Sequence, residues 1–304
     1  MRRLLTALTA LTLVTLAAAP PALARRVPCG TDGHARCLAW TGKVIFVADG
    51  DTVDVRIKGI GTRRVRMISI NATELTRYSH KPSRRRGECH AVAATNNLER
   101  MIRRGHWRVR LLAEHASSHS LNHRLLRSLQ VRSGGRWVDA GAAQLRAGMA
   151  LWLPKRDEPA WNEGYSAIAR RAAAHGVGLY NPTACGRGPA AGARLQVHVR
   201  WDAEGNDHEN VNGEWIEVRN LDRSRPVRLG GWHVKDSDLK RYRLPSWAKV
   251  PAGGSLYVHI GRGHNHGNDF YWGFDHSLFD NTEGDGGYLF DPQGDLRGWD
   301  IYDP

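Results

Sequence analysis

The sequence predicts an α+β OB-fold barrel followed by an all-β, immunoglobulin-like sandwich. Runs of β-forming residues open the first half, and segments with helical spacing interrupt and follow them. Short β-like runs separated by turn residues fill the second half, which shows no helical period. A small closed barrel decorated by helices fits the first pattern, and a sandwich fits the second. The 304 residues are enough for two such domains.

The elements of the first half follow from local patterns. Runs rich in β-formers predict strands at 44–47, 52–57, 63–70, 107–112 and 125–131. Residues 75–87 are polar and basic, so we expect an exposed loop. Helical spacing of apolar residues predicts helices over 88–103, 140–147 and 162–174. Gly176 has the character of a helix stop after the last of these.

A Gly- and Ala-rich stretch over 187–193 reads as a linker between the two domains. Beyond it, strands are predicted at 195–200, 215–219, 232–234, 256–260 and 287–290. We therefore expect a signal peptide over 1–24, an N-terminal segment with a disulfide over 25–40, a first domain over 41–186, a linker over 187–193 and a second domain over 194–304.

The first segment has the pattern of an export signal. Arg2 and Arg3 precede an apolar run over 4–18 that is short for a membrane span, and Ala22-Leu23-Ala24 forms a small-x-small cleavage site. No second long apolar run follows. We therefore expect a secreted protein, cleaved near Ala24, without stable membrane insertion.

Four cysteines in an exported chain favour disulfides. Cys29 and Cys37 bracket a short polar loop and are expected to pair, which leaves Cys89 with Cys185. Four cysteines allow three connectivities, and the sequence does not choose among them.

Charge is distributed unevenly along the chain. Its formal net charge is +14, with 31 basic and 12 acidic residues before Ala190 but 13 basic and 18 acidic residues from there onward. A basic first half suits a polyanion such as DNA or RNA. An arginine-rich genome would explain the use of arginine, but not why acids are scarce in one half only.

One motif carries chemistry. Asp49-Gly50-Asp51-Thr52 forms a turn between strand-like runs, and Arg66 and Glu74 follow on the next run. Carboxylates serve as hard oxygen ligands or as bases, and a guanidinium makes paired contacts to phosphate. An acid, an arginine and a base close together are the equipment for cutting a phosphodiester with a divalent metal.

The first half resembles the staphylococcal nucleases over residues 41–182. The resemblance rests on segments that agree in order and spacing: 47–53, 65–74, 87–94, 123–126, 145–150 and 178–180. It implies an OB-fold, calcium-dependent phosphodiesterase that acts on DNA and RNA. The resemblance gives Arg66, Glu74 and Arg124 catalytic roles, with Glu74 as the general base and the arginines on the phosphate.

The same resemblance implies one Ca²⁺ held by Asp51, Asn71 and the backbone carbonyl of Ala72. The family's second metal carboxylate falls on Asn71, so we expect weaker or altered metal binding. Two further groups are candidate substrate contacts: the basic run Arg84, Arg85 and Arg86, and Trp152 as a stacking surface.

The second half resembles the lamin-tail domains, through the segments 213–220, 229–232, 250–254, 271–273 and 284–290. That resemblance implies an accessory binding module whose partner is unknown. We expect a monomeric, secreted nuclease. The alternatives are a barrel that binds nucleic acid without cutting it, and an adhesion or structural protein that acts through the second half.

Overall fold

The computed structural model describes residues 25–75, 80, 87–186, 188, 190, 192–238 and 240–304, and it is mostly β. The predicted signal segment 1–24 lies outside the described residues, as do Arg84, Arg85 and Arg86. Within the described part, no helix has the length and apolar character needed to cross a membrane.

A closed five-stranded barrel forms the first half. The strands of this half are β1 (Arg25–Cys29), β2 (Ala35–Val47), β3 (Thr52–Ile57), β4 (Gly61–Met67), β5 (Ile70–Asn71), β6 (Arg108–Ala113), β7 (Leu125–Ser133), β8 (Arg136–Asp139) and β9 (Leu151–Trp152). The barrel runs β2–β3–β4–β7–β6 and closes where β6 pairs with β2. Strands β4 and β7 are parallel, and the other barrel pairs are antiparallel.

Three helices decorate the barrel: α1 (Ala91–Arg104), α2 (Ala140–Arg146) and α3 (Asn162–Ala174). The apolar face of α1 places Ala94, Leu98 and Ile102 in the barrel core. Asp139 caps the N-terminus of α2, and its carboxylate accepts hydrogen bonds from the N–H groups of Gly141 and Ala142, which would otherwise lack a partner.

The second half is a sandwich. Its strands are β10 (Leu195–Arg200), β11 (Trp215–Asn220), β12 (Val227–Arg228), β13 (His233–Asp236), β14 (Arg241–Arg243), β15 (Lys249–Val250), β16 (Ser255–His259), β17 (Asp269–Tyr271), β18 (Asp285–Phe290) and β19 (Leu296–Tyr302). One sheet has the order β10–β11–β16–β17 and the other β14–β13–β18–β19. The prediction of an all-β sandwich is confirmed.

The two halves share packed surface through strand β18, which is buried at all its positions. Alternate side chains of a strand point to opposite faces of the sheet. Accordingly Leu289 joins the sandwich core, whereas Tyr288 and Phe290 join the core of the barrel half. Trp299 of β19 adds an edge-on ring contact with Tyr180, with ring centroids 5.2 Å apart. The sandwich is therefore built onto the barrel half.

Both expected disulfides are present. Cys29 pairs with Cys37 and Cys89 with Cys185, with Cα–Cα distances of 5.7 and 5.8 Å. Of the three connectivities that the sequence left open, the structure has this one. Disulfides are typical of oxidising compartments, and this is compatible with export.

Several element predictions match closely. Strand β3 and helix α3 have the predicted bounds, and α1 begins three residues later than predicted. The predicted strand over 63–70 is interrupted after Met67 and resumes as the two-residue β5. A closed barrel with helices was predicted and is found. Its assignment as an OB-fold stays a prediction.

Candidate active site

A tight turn between β2 and β3 begins the candidate site. The Asp49 carboxylate accepts a hydrogen bond from the Asp51 N–H at 3.0 Å, which is an Asx-turn. At Gly50 a Cβ atom would lie 2.6 Å from the Cβ of Ala94 and 2.7 Å from the Cβ of Ala72. Only glycine fits there without displacing helix α1 or the chain after β5. The turn thus presses its backbone against both neighbours and fixes Asp51.

Asp51 lies at the centre of a buried polar cluster. Its Oδ2 accepts a hydrogen bond from the Ala72 N–H at 2.6 Å and contacts Nη1 of Arg66, and its Oδ1 accepts from the Thr52 hydroxyl at 2.8 Å. Arg66 Nη2 donates to Oδ1 of Asn71 at 2.7 Å. Strand β4 supplies the arginine and β5 the amide, so the barrel brings three sequence-predicted residues together.

Glu74 and Arg124 lie at the edge of this cluster. The Glu74 side chain is exposed, while Arg124 is half-buried and donates from Nε to the Ser120 hydroxyl at 3.3 Å. Desolvation raises the pKa of Glu74, the negative charge of Asp51 raises it further, and the charges of Arg66 and Arg124 oppose the rise. Asp51, Arg66 and Arg124 therefore lie within electrostatic reach of Glu74, and their assignment to one catalytic site stays a prediction.

Asp49 has the most perturbed carboxyl of the turn. Burial, followed by the neighbouring Asp51 carboxylate, raises its pKa from 3.8 to about 8. The pKa of Asp49 therefore lies well above that of an exposed aspartate, next to the Asp51 carboxylate that contacts Arg66. Two carboxyl groups that crowd one turn disfavour each other's ionisation.

The sandwich covers the buried cluster. Asn71 Nδ2 donates a hydrogen bond to the Ser237 carbonyl at 2.9 Å, from the segment that follows strand β13. Lys235 of β13 is buried, and its Nζ lies 3.7 Å from the Glu88 carboxylate, which Arg241 also contacts at 3.2 Å. Residues of the second half thereby complete one wall of the site. Sequence reasoning missed them because they lie far along the chain.

The cluster as arranged does not fit a calcium ion. Calcium takes six to eight oxygen ligands. Here the Asp51 and Asn71 oxygens already accept hydrogen bonds, and the Arg66 guanidinium bridges the two side chains. Within the described part of the chain, the only cluster of at least three possible His, Cys, Asp or Glu ligands is Cys89, Cys185 and Asp295, whose cysteines form a disulfide. Ligation of Ca²⁺ by Asp51, Asn71 and Ala72 stays a prediction.

One predicted contact does not agree with the structure. Trp152 was expected to offer a stacking surface, but its side chain is fully buried in the barrel core. Strand β9 holds it there by pairing with Ile70 of β5. A base cannot reach this ring, so Trp152 is a core residue.

Comparison with known families identifies the second half. Residues 196–303 match the family model of the Lamin Tail Domain, inside the predicted range 194–304. No nuclease family is among the matches, and no curated protein matches the chain. The second half is therefore a lamin-tail domain, while the nuclease resemblance of the first half stays a prediction.

Proposed function

We propose that the barrel hydrolyses phosphodiester bonds of DNA or RNA at the end that carries Asp51, Arg66, Glu74 and Arg124. One observation carries the proposal: an exposed carboxylate, Glu74, lies within electrostatic reach of two guanidinium groups and of Asp51. Phosphodiester hydrolysis needs a base for the attacking water and positive charge on the phosphate.

In this proposal Glu74 takes a proton from water while the water oxygen bonds to phosphorus. The bond from phosphorus to the leaving oxygen then breaks, and that oxygen takes a proton from solvent water and leaves as an alcohol. Glu74 returns its proton to the solvent, which restores the base. Desolvation holds the pKa of Glu74 above its ordinary value, which makes its carboxylate a stronger base than a fully hydrated glutamate.

Arg66 and Arg124 have different roles in the proposed hydrolysis. Arg66 is tied to Asp51 and Asn71, so its guanidinium is held in a fixed place before substrate arrives. Among the described residues, the Arg124 guanidinium hydrogen-bonds only through Nε, to Ser120, which leaves its terminal nitrogens free for a phosphate. Preorganised donors of this kind stabilise the charge that develops on the phosphoryl oxygens.

The charge distribution supports a polyanionic substrate. The residues before Ala190 carry the excess of positive charge, and they include the whole barrel. The steps above are written for residues of the chain alone, because the Asp51 and Asn71 oxygens already accept hydrogen bonds. Calcium therefore enters the proposal as a variable of the assay.

The test is cleavage of plasmid DNA and of RNA by the purified protein, with calcium and with a chelator. Glu74→Gln keeps the shape of the side chain and removes the base, and we expect it to lower cleavage about 10²-fold or more. Glu163→Gln is the matched control, because Glu163 is an exposed glutamate of α3 away from the site. Equal cleavage by wild type and Glu74→Gln would reject the proposal.

A second candidate function is supported by the burial of the cluster. Asp51, Arg66 and Asn71 are at most 9% exposed, and the lamin-tail domain contacts Asn71. A barrel that binds nucleic acid without cutting it would show this burial too. Retarded migration of DNA without cleavage, under every cation condition, would favour this function over hydrolysis.

A further inference from the structure

A groove of about 710 Å³ lies at the end of the barrel opposite the candidate active site. Strand β3 starts next to Asp51 and ends at this groove, and β7 starts next to Arg124 and ends there as well. Six residues of extended strand span about 20 Å, so the two places are separate.

Five cations and no acid line the groove: Lys43, Arg56, Lys58, Arg108 and Arg132. All five side chains are exposed. Across the described part of the chain, none of them forms an ion pair with a carboxylate, although other surface arginines do, such as Arg64 with Asp54. The groove therefore carries a concentrated and uncompensated positive charge.

The strand register aligns three of these cations in a row. Lys43 of β2 lies directly opposite Arg56 of β3 on one side and directly opposite Arg108 of β6 on the other. Residues that are directly opposite in antiparallel strands point to the same face, with Cβ atoms about 5 Å apart. Like charges in this position destabilise a sheet. A bound polyanion would reduce the repulsion among these three cations.

A tryptophan stiffens one side of the groove. Trp137 of β8 lies opposite Arg132 in the strand register, and the Arg132 guanidinium lies 5.2 Å from the centre of its ring. Arg110 lies 5.1 Å from the same ring. Stacking on an indole restrains a guanidinium in a plane that suits the recognition of phosphate. Arg132 is restrained further, because its Nη1 donates to the Gly135 carbonyl at 2.7 Å.

We propose that this groove binds the phosphate backbone of a nucleic acid strand and acts as a second, non-catalytic contact for it. The proposal rests on the proposed function in one respect, since the ligand is the polymer that the other end of the barrel would cut. A row of arginine and lysine side chains neutralises consecutive phosphates without reading the bases. The groove would thus hold a long substrate while a distant linkage is cleaved.

The test measures binding rather than cleavage, so its outcome does not depend on whether hydrolysis occurs. The full-length protein carries Glu74→Gln to prevent cutting, and the probe is a fluorescent oligodeoxynucleotide of about 30 nucleotides, longer than the site of one small barrel. The groove variant is Lys43→Gln/Arg56→Gln/Arg108→Gln. The matched control removes three exposed arginines of the sandwich, Arg219→Gln/Arg223→Gln/Arg228→Gln.

We expect the groove variant to bind about tenfold or more weakly at low salt, and the control variant to bind like the parent protein. Each lost phosphate contact lowers the slope of log affinity against log salt by about 0.7 for a single strand, so the slope should fall by about 2. Affinity and slope equal to those of the parent would overturn the proposal. So would a loss confined to a sulfated polymer such as heparin, which would assign the groove to a different ligand.

Two further measurements distinguish the loss of groove contacts from misfolding and from a failure of the proposed hydrolysis. Thermal unfolding of the groove variant should occur at the same temperature as the parent or higher, because repulsion between strands is removed. A lower unfolding temperature would attribute weaker binding to misfolding. In the background with Glu74 intact, any hydrolysis of a small diester such as bis(p-nitrophenyl) phosphate should be unchanged. If no diester is cut but binding still depends on the groove, only the proposed hydrolysis fails.

Discussion

The amide of Asn71 donates a hydrogen bond to the carbonyl of Ser237, across 166 positions of the chain, at a distance of 2.9 Å. Its other end accepts from Arg66, which contacts Asp51. One side chain thus joins the predicted site of the barrel to the lamin-tail domain. A carboxylate could not make both contacts, because it cannot donate to Ser237. This gives a physical reason for an amide where the resembling nucleases have an acid.

Asn71→Asp is therefore expected to weaken the contact between barrel and sandwich. The new carboxylate oxygen faces the Ser237 carbonyl in a buried site, and a lost hydrogen bond with an unpaired acceptor costs about 1–3 kcal/mol. Stronger attraction to Arg66 offsets part of that. Unfolding in urea measures the free energy, and Asn122→Asp on an exposed loop is the control, expected to change it by less than about 0.5 kcal/mol. An equally stable Asn71→Asp would contradict the role of the hydrogen bond.

The same variant tests the calcium prediction. If Asn71 belongs to a cation shell, an added carboxylate tightens calcium binding, and cleavage by Asn71→Asp should saturate at lower calcium than cleavage by wild type. Identical titrations would remove Asn71 from the metal shell. The experiment is informative because Arg66 now occupies the Asn71 oxygen.

The pH dependence of cleavage should report the environment of Glu74. A general base acts when ionised, so the rate rises with pH through the Glu74 pKa, which desolvation raises above its ordinary value of 4.5. Glu88→Gln removes one of the negative charges that raise this pKa, and the rise should move to lower pH. Glu163→Gln should leave the profile where it is. An upward move in Glu88→Gln would contradict the electrostatic reading.

The raised pKa of Asp49 predicts that the free energy of unfolding falls as pH rises. Its pKa is raised from 3.8 to about 8 in the folded protein, so between these values the folded state holds a proton that the unfolded state has lost. Stability is then lost progressively from about pH 4 to pH 8. Asp49→Asn keeps an acceptor for the Asp51 N–H and cannot ionise.

Wild type and Asp49→Asn should be similar near pH 4, and the variant should be more stable by about 2 kcal/mol near pH 8, allowing for partial solvent screening. Urea unfolding at several pH values gives both curves. Asp157→Asn, an exposed position, controls for the loss of a surface charge. A difference that does not depend on pH would mean that Asp49 is ionised in the folded state as in the unfolded one.

Much of the fold follows from local sequence patterns. Strand β3 and helix α3 were predicted with their observed bounds because their periodicities are strong and turn or cap residues limit them. The two-residue strands β5 and β9 have no period to detect, and their pairing buries Trp152. Because Trp152 lies near the candidate site, it was predicted to be a stacking surface. The pairing of β9 with β5 instead buries it in the core.

The site is predictable where its residues lie near one another in sequence. Asp51, Arg66 and Asn71 meet because the turn before β3, strand β4 and the short strand β5 carry them close together in sequence and in space. Ser237 and Lys235 could not be foreseen, because their approach depends on how β18 packs two cores against each other. The row of cations in the groove likewise depends on strand register, which includes an irregularity between Val44 and Phe46.

The two disulfides should differ in what their loss costs, since the loops they close differ in length. Cys89–Cys185 spans 96 positions and Cys29–Cys37 spans eight. Loop-closure entropy predicts about 4–5 kcal/mol for the first and about 2–3 kcal/mol for the second. Paired serine substitutions, Cys89→Ser/Cys185→Ser and Cys29→Ser/Cys37→Ser, serve as controls for each other in urea unfolding.

Cys89 precedes α1 and Cys185 precedes the sandwich, so the first variant should also loosen the junction that covers Asn71. Faster amide hydrogen exchange after strand β13 in that variant alone would reveal this loosening. Equal exchange rates in the two variants would mean that the Cys89–Cys185 disulfide does not stabilise the junction.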